Sequence, residues 1–180
     1  MIVPLDQTHL ADINKSNEPF QVIGRLIPFY EDGKWTWTEE LLSVPKEKHY
    51  SDDHEDWTLY IDNPDQCIFL DYENGQCAGQ IILRRDWNLY AFIEDISVAA
   101  KFRGQGIGTA LINQAMAWAK EKRLKGLALE TQDNNLLACR FYQKCGMKIG
   151  AVNTMLYRNF SKPWCDEIAV FWYMQFDEKE

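Results

Sequence analysis

Histidine is scarce in this sequence, and paired cysteines are absent. The three histidines (His9, His49, His54) show no helical i, i+4 pair, and the five cysteines (Cys67, Cys77, Cys139, Cys145, Cys165) contain no C-x-x-C spacing. Zinc knuckles and dithiol redox pairs need such spacings, so no metal is expected. No stretch approaches the roughly 20 apolar residues of a bilayer span. The start, MIVPLDQTHL, lacks a basic segment followed by an apolar run. A reduced, cytoplasmic protein with no membrane partner is expected. Excess positive charge is missing too. A formal net charge of −8 argues against a nucleic-acid partner, which needs clustered Lys and Arg, and suits a small cationic substrate. Repeats and low-complexity linkers are also lacking, so residues 1–180 are expected to form a single domain. The oligomeric state is left open, a homodimer included.

What is present is a chain 46% hydrophobic and 13% aromatic, with seven Trp and eight Tyr, enough for a filled core or an aromatic-lined pocket. A strand is expected near Ile2–Leu5 and a short helical segment around Gln7–Ile13. Asp32-Gly33 signals a hairpin turn between Arg25–Tyr30 and Trp35–Thr38. The polar stretch VPKEKHYSDDHEDW reads as a loop or frayed helix. A β-meander follows: QCIFLDY, the turn Glu73-Asn74-Gly75, QCAGQIILRRDW, a turn at Asp86–Asn88, then LYAFIEDISV. From Gly106 to Glu121, apolar residues at Ile107, Leu111, Ala115, Trp118 and Ala119 recur at helical spacing. GLALET is a short apolar strand. NNLLACRFYQKCGM is a second helix, capped near Asp133 or Asn134 and ending at Gly146. AVNTMLYRN and EIAVFWYMQF are the last strand candidates. A helix between neighbouring strands implies a parallel pair, so the sheet is expected to be mixed, in an α+β fold.

The stretch KFRGQGIGTALI (101–112) raises the sharpest functional question. A dinucleotide motif would need glycine where Thr109 stands, and a nucleotide-triphosphate loop would need a lysine after the last glycine. What remains is a run of backbone N–H groups with little side-chain bulk, ending at a helix N-terminus. That arrangement binds phosphate. Arg103 adds a charge on its rim. A ligand-free strand-to-helix turn stays possible on these residues alone.

Arg103-Gly104-Gln105-Gly106-Ile107-Gly108 matches the R/Q-x-x-G-x-G/A signature of the GCN5-related N-acetyltransferase (GNAT) superfamily, after a strand, IEDISV. Downstream, Asn135, Ala138, Tyr142 and Gly146 match that fold's N-x-x-A-x-x-x-Y-x-x-x-G pattern. Over nearly its whole length the chain resembles the streptothricin N-acetyltransferases, with ETQDNN and a Trp-rich hairpin setting it apart from a generic superfamily member. The resemblance implies a three-layer α/β/α arrangement, a mostly antiparallel sheet splayed at its central parallel strands. It also implies acetyl-CoA as co-substrate and acetylation of a primary amine on the β-lysine moiety of streptothricin, giving antibiotic resistance. Polyamines, aminoglycosides or protein N-termini remain alternative acceptors, and a non-catalytic acyl-CoA sensor is a further alternative.

By the same resemblance, Ile96 and Val98 contact the pantetheine arm. The backbone of Arg103, Gly104, Gln105, Gly106, Ile107, Gly108 and Thr109 holds the pyrophosphate. Asn135 and Ala138 complete the coenzyme site, and Tyr142 protonates the departing thiolate. Strand alternation puts Phe92, Glu94, Ile96 and Val98 on one face and Ile93, Asp95 and Ser97 on the other. On that reading Glu94 takes the amine's proton or anchors a second ammonium, with Asp95 or a water relay as competitor. Tyr30, Trp35 and Trp37, and the acidic run Asp52, Asp53, Glu55, Asp56 with Trp57, are candidate substrate contacts. Cys139 and Cys145 read as packing residues.

Overall fold

The computed structural model describes residues 1–52 and 55–176. Asp53 and His54, singled out above, lie outside the described residues. Along these residues the strands are β1 (Ile2–Pro4), β2 (Phe20–Glu31), β3 (Lys34–Lys48), β4 (Gln66–Glu73), β5 (Gln76–Arg85), β6 (Tyr90–Val98), β7 (Gly126–Gln132), β8 (Lys148–Asn153) and β9 (Ala169–Gln175). The α-helices are α1 (Ile107–Glu121) and α2 (Leu136–Lys144). No helix among the described residues is long and apolar enough to cross a membrane. The chain divides into two compact units, one built from residues 1–20, 49–127 and 175–180, the other from 21–48 and 128–174.

The first unit is the expected meander. β1, β4, β5 and β6 lie side by side, each pair antiparallel. Asn74 and Gly75 both take positive φ (50° and 76°), the geometry that closes a two-residue hairpin. One face of the meander packs on α1, whose buried residues Ile107, Leu111, Ile112, Ala115, Trp118 and Ala119 follow the helical period. The other face carries a core of Leu5, Tyr60, Ile68, Leu70 and Ile82. The expected helical segment near residue 10 is only a single 3-10 turn, Leu10–Asp12.

In the second unit β8 and β9 pair antiparallel, and the strand order is β7-β9-β8. The β2–β3 hairpin turns at Asp32-Gly33 as expected, but both strands outrun the expectation. In β2 the buried residues Val22, Gly24 and Leu26 alternate cleanly. β3 continues through Val44–Lys48, where a loop or frayed helix was expected, because a paired edge tolerates the polar side chains that hid it. Gly24 sits where the neighbouring strand comes closest. A Cβ there would stand 2.4 Å from the Glu40 carbonyl oxygen and 2.9 Å from Leu41 Cα, both main-chain atoms. Gly24→Ala therefore costs about 2 kcal/mol, the overpacking range, read as a lower urea midpoint at unchanged slope. An unchanged midpoint would mean that the hairpin opens freely at this point.

Candidate active site

α1 starts straight out of the glycine loop. Gly106 is its N-cap residue, at φ +91°, and no side chain caps the helix. Gly104 is also left-handed, at φ +77°. A Cβ added at either glycine would meet nothing within 4 Å, so it is the left-handed backbone rather than crowding that calls for glycine here. The first N–H groups of a helix have no intrahelical acceptor and carry the positive end of the dipole. The Arg103 N–H, expected among the pyrophosphate donors, instead bonds Ala100 O (3.2 Å), which leaves Gly104 to Thr109 as the candidate cradle. A pyrophosphate fits this cradle. Arg103 departs from expectation: its guanidinium turns onto main-chain carbonyls, donating from Nε to Val98 O (2.8 Å), Nη1 to Pro19 O (2.8 Å) and Nη2 to Glu18 O (3.0 Å).

β6 leads into this loop, and its facing differs from simple alternation. The register of β5 with β6 shifts between Ile82 and Leu83, whose partners are Asp95 and Ile93, so Glu94 is the extra residue of a β-bulge. Gly79 packs on Ile107 and Leu111, which places its partner Val98 on the α1 face. By pairing, Ile96 and Ile93 share that face. Glu94 instead joins Phe92, Asp95 and Ser97 on the opposite face, so it is not aligned with Ile96 and Val98. The bulge adds one residue, and one residue reverses the facing.

Both carboxylates on that face have partners. Asp95 accepts from Nε2 of Gln80 (2.7 Å), a side chain only 1% exposed. Glu94 pairs with Arg84 through Oε1 (2.9 Å). The Tyr60 hydroxyl lies 3.1 Å from Glu94 Oε2 and 3.1 Å from Glu55 Oε2. Burial, then the negative charge of Glu94, pushes the Tyr60 phenol well above its ordinary pKa. One hydroxyl proton cannot serve two carboxylates at once, so this cluster has room for a further donor. Asp56 and Asp52 of the same run bond within the chain. Asp56 caps the 3-10 turn Trp57–Tyr60 through Thr58 N (3.1 Å), and Asp52 accepts from Asn17 (2.7 Å).

The helix-borne candidates belong to the second unit. Asn135, not Asp133 or Asn134, is the N-cap of α2, its Oδ1 accepting from Ala138 N (3.3 Å). Asp133 is fully buried and pairs with Arg25, with Nε 2.8 Å from Oδ2. Tyr142 is 7% exposed, its ring 5.6 Å from Phe141 and 6.1 Å from Trp172 between centroids. Cys139 is buried, and burial pushes its thiol up to about 12; burial also raises Cys145. Neither is a nucleophile at neutral pH. Tyr30, Trp35 and Trp37 line an open groove with Met147, Ile149 and Trp172.

Sequence reasoning passed over a second carboxylate group. Glu130, inside strand β7 after the apolar run Leu127–Leu129, accepts a hydrogen bond from the Tyr157 hydroxyl. Burial raises its pKa above the usual carboxylate value, and Glu167 adds to that, while Tyr157 and Lys48 oppose it. Lys48 donates to Glu167 Oε1 (2.8 Å) and Oε2 (2.9 Å), with its ammonium 4.3 Å above the Trp164 ring. Burial lowers the Lys48 pKa, and Glu167 only partly offsets this. The available signal was a lone acid directly after the apolar run Leu127–Leu129 of a strand, where a charge needs a reason to be.

The chain is similar to known proteins over nearly its whole length. The model of the acetyltransferase (GNAT) family matches residues 29–147. Streptothricin acetyltransferase A of Bacillus subtilis (strain 168) is 50% identical over 176 residues, covering 98% of this chain and all of that protein. An Escherichia coli streptothricin acetyltransferase is 38% identical over 133 residues, 73% of this chain and 71% of its own length. Among solved structures, a candidate streptothricin acetyltransferase from Bacillus anthracis str. Ames, in complex with acetyl coenzyme A, superposes with a TM-score of 0.90 at 36% identity. That match covers 98% of this chain and 99% of the other. Nourseothricin acetyltransferase gives 0.81 at 25% identity, covering 97% of each chain. The α+β fold and the glycine loop have a common explanation: the chain belongs to the acetyltransferase (GNAT) family.

Proposed function

We propose that this chain is an acetyl-CoA-dependent N-acetyltransferase that acetylates a primary amine of streptothricin, on its β-lysine moiety, and so gives resistance to that antibiotic. The observation that carries this reading is the 50% identity to streptothricin acetyltransferase A across 98% of the chain. The family match runs through both compact units, which supports one acetyltransferase domain. We place the enzyme in the cytoplasm, with its co-substrate.

In this reading the N–H groups of Gly104 to Thr109 hold the pyrophosphate, and the end of β6 at Ile96 and Val98 lies along the pantetheine arm. Asn135, accepting from the Ala138 N–H, holds the start of α2 in shape. The acceptor amine attacks the thioester carbonyl carbon, the C–S bond breaks, and the acetyl group stays on nitrogen. Two protons then need homes. The departing thiolate takes one from Tyr142. The amine's proton goes to a carboxylate, because an alkyl ammonium of pKa about 10.4 is only about one part in a thousand free base at neutral pH. Glu94 and Glu130 compete for it. Glu94 is already engaged by Arg84, whereas Glu130 has a raised pKa, and a base nearer the working pH accepts a proton better. The reading therefore gives Glu130 the proton. Glu94, with Glu55 and Tyr60, takes a second ammonium of the substrate.

A thiol-release assay with acetyl-CoA tests this. Streptothricin is expected to support turnover at a kcat/KM at least about tenfold above spermidine or kanamycin, since a few well-paired polar contacts separate acceptors by more than that. Preference for either of those amines would reassign the acceptor. Tight acetyl-CoA binding without turnover on any amine would make the chain a sensor.

A further inference from the structure

Read from the sequence, Arg103 is a charge on the rim of a phosphate site. Here its donors point elsewhere. Three N–H groups of Arg103, from Nε, Nη1 and Nη2, are spent on the carbonyls of Val98, Pro19 and Glu18 at 2.8, 2.8 and 3.0 Å. Val98 is the last residue of β6, and residues 18–19 lie on a separate stretch of chain from the same compact unit. A return contact closes the ring: the Glu18 carboxylate accepts from the Ala100 N–H at 2.6 Å. So Arg103 grips the main chain of Glu18, while the Glu18 side chain grips the main chain just before Arg103.

A clamp positions a loop only if its far side is fixed, and this one is. Ser16 is fully buried, with its hydroxyl 2.8 Å from that of Ser97. The Asn14 N–H donates to Gln80 Oε1 (2.7 Å), and Asn17 donates to Tyr50 O (3.1 Å) and Asp52 (2.7 Å). The Phe20 ring stacks 5.0 Å from that of Tyr50. The segment from Asn14 to Phe20 is thereby tied to the meander and to residues 50–52, and Arg103 pulls against a rigid support.

We infer that Arg103 is a positioning residue, paired with Glu18, that sets the shape of the β6–α1 loop before the coenzyme arrives rather than a ligand of its phosphates. This rests on reading the loop as the pyrophosphate site. Its physical content is preorganisation. The N–H groups of Gly104 to Gly108 converge only if the residues before them are held, and the planar fork of a guanidinium can reach three carbonyls in fixed directions. A lysine ammonium is a point charge on a flexible stem and cannot reproduce that fork.

The test uses Arg103→Lys, Glu18→Gln and the double variant in the full chain. Arg103→Lys keeps the charge and loses the fork. The clamp predicts that its KM for acetyl-CoA rises about tenfold, the effect of one or two lost charge-assisted hydrogen bonds, with kcat at saturation within about twofold. Amide hydrogen exchange of the coenzyme-free protein rises in both 17–20 and 99–106. Glu18→Gln acts in the same direction, and the double variant is less impaired than the product of the single effects, as for residues sharing one contact ring. The salt dependence of coenzyme binding stays as in the wild type. A direct phosphate contact predicts otherwise: exchange without coenzyme unchanged, independent effects of the two substitutions, and near-wild-type affinity in Arg103→Lys. Any of these overturns the clamp. Wild-type protein that fails to bind acetyl-CoA in calorimetry overturns the coenzyme reading itself. The exchange of the uncomplexed variants then reports on the clamp separately.

Discussion

Tyr142→Phe lowers kcat about 10²-fold or more and leaves acetyl-CoA affinity within about twofold, the signature of a lost general acid. An alkyl thiolate is a poor leaving group until it gains a proton, and in the proposed function the phenol of Tyr142 supplies it. Tyr142 is 7% exposed and its ring packs between Phe141 and Trp172, contacts that a phenyl ring keeps in full. Loss of rate then cannot be blamed on a cavity or a displaced helix. Two measurements decide the matter: kcat at saturating acetyl-CoA and streptothricin, and the dissociation constant of acetyl-CoA by calorimetry. Wild-type kcat in Tyr142→Phe would make the residue a packing tyrosine. A matching fall in coenzyme affinity would make it a binding contact instead.

The parts of the fold that were legible in the sequence are those in which one local rule decides. Asp32-Gly33 and Asn74-Gly75 are residues that tolerate positive φ, and each closes a hairpin. The period of Ile107, Leu111, Ala115, Trp118 and Ala119 marks α1, because burial on one side of a helix needs that spacing. Where two rules compete, reading the chain failed. Gly24, Pro28 and Pro45 weaken the strand signal of β2 and β3, although pairing in a hairpin edge overrides it. The bulge at Glu94 is invisible locally, since it is set by the register against β5, and it moved the candidate base to the other face. The side chain of Arg103 shows the same limit. Its motif position announces a phosphate loop, but its partners at residues 18 and 19 lie more than eighty positions away along the chain. The site is thus legible in its main-chain part, where glycine spacing is the signal. It is illegible in its carboxylates, whose roles depend on which neighbours the fold supplies.

Glu130 is the sharpest instance, and Glu130→Gln is expected to lower kcat/KM at neutral pH about 10²-fold while removing the acidic limb of the pH profile. The argument starts from its surroundings. Burial within β7 raises the pKa of Glu130, Glu167 pushes it further, and the Tyr157 hydrogen bond and the Lys48 charge pull it back. A base works only when deprotonated, so wild-type kcat/KM should rise with pH through an inflection above the usual carboxylate value of about 4.3. Tyr157→Phe removes a hydrogen bond that favours the charged form, so its inflection must move to higher pH. A merely structural tyrosine would lower the plateau and leave the inflection in place. Stability gives a readout independent of turnover. Because the folded pKa is raised, the contribution of Glu130 is fully present below its unfolded pKa and is lost as pH rises through the folded one. Glu130→Gln should flatten that part of the unfolding curve against pH. An acidic limb that survives in Glu130→Gln and disappears in Glu94→Gln would return the proton to Glu94. The bulge that turns Glu94 away from Ile96 and Val98 would then be what aims it at the substrate.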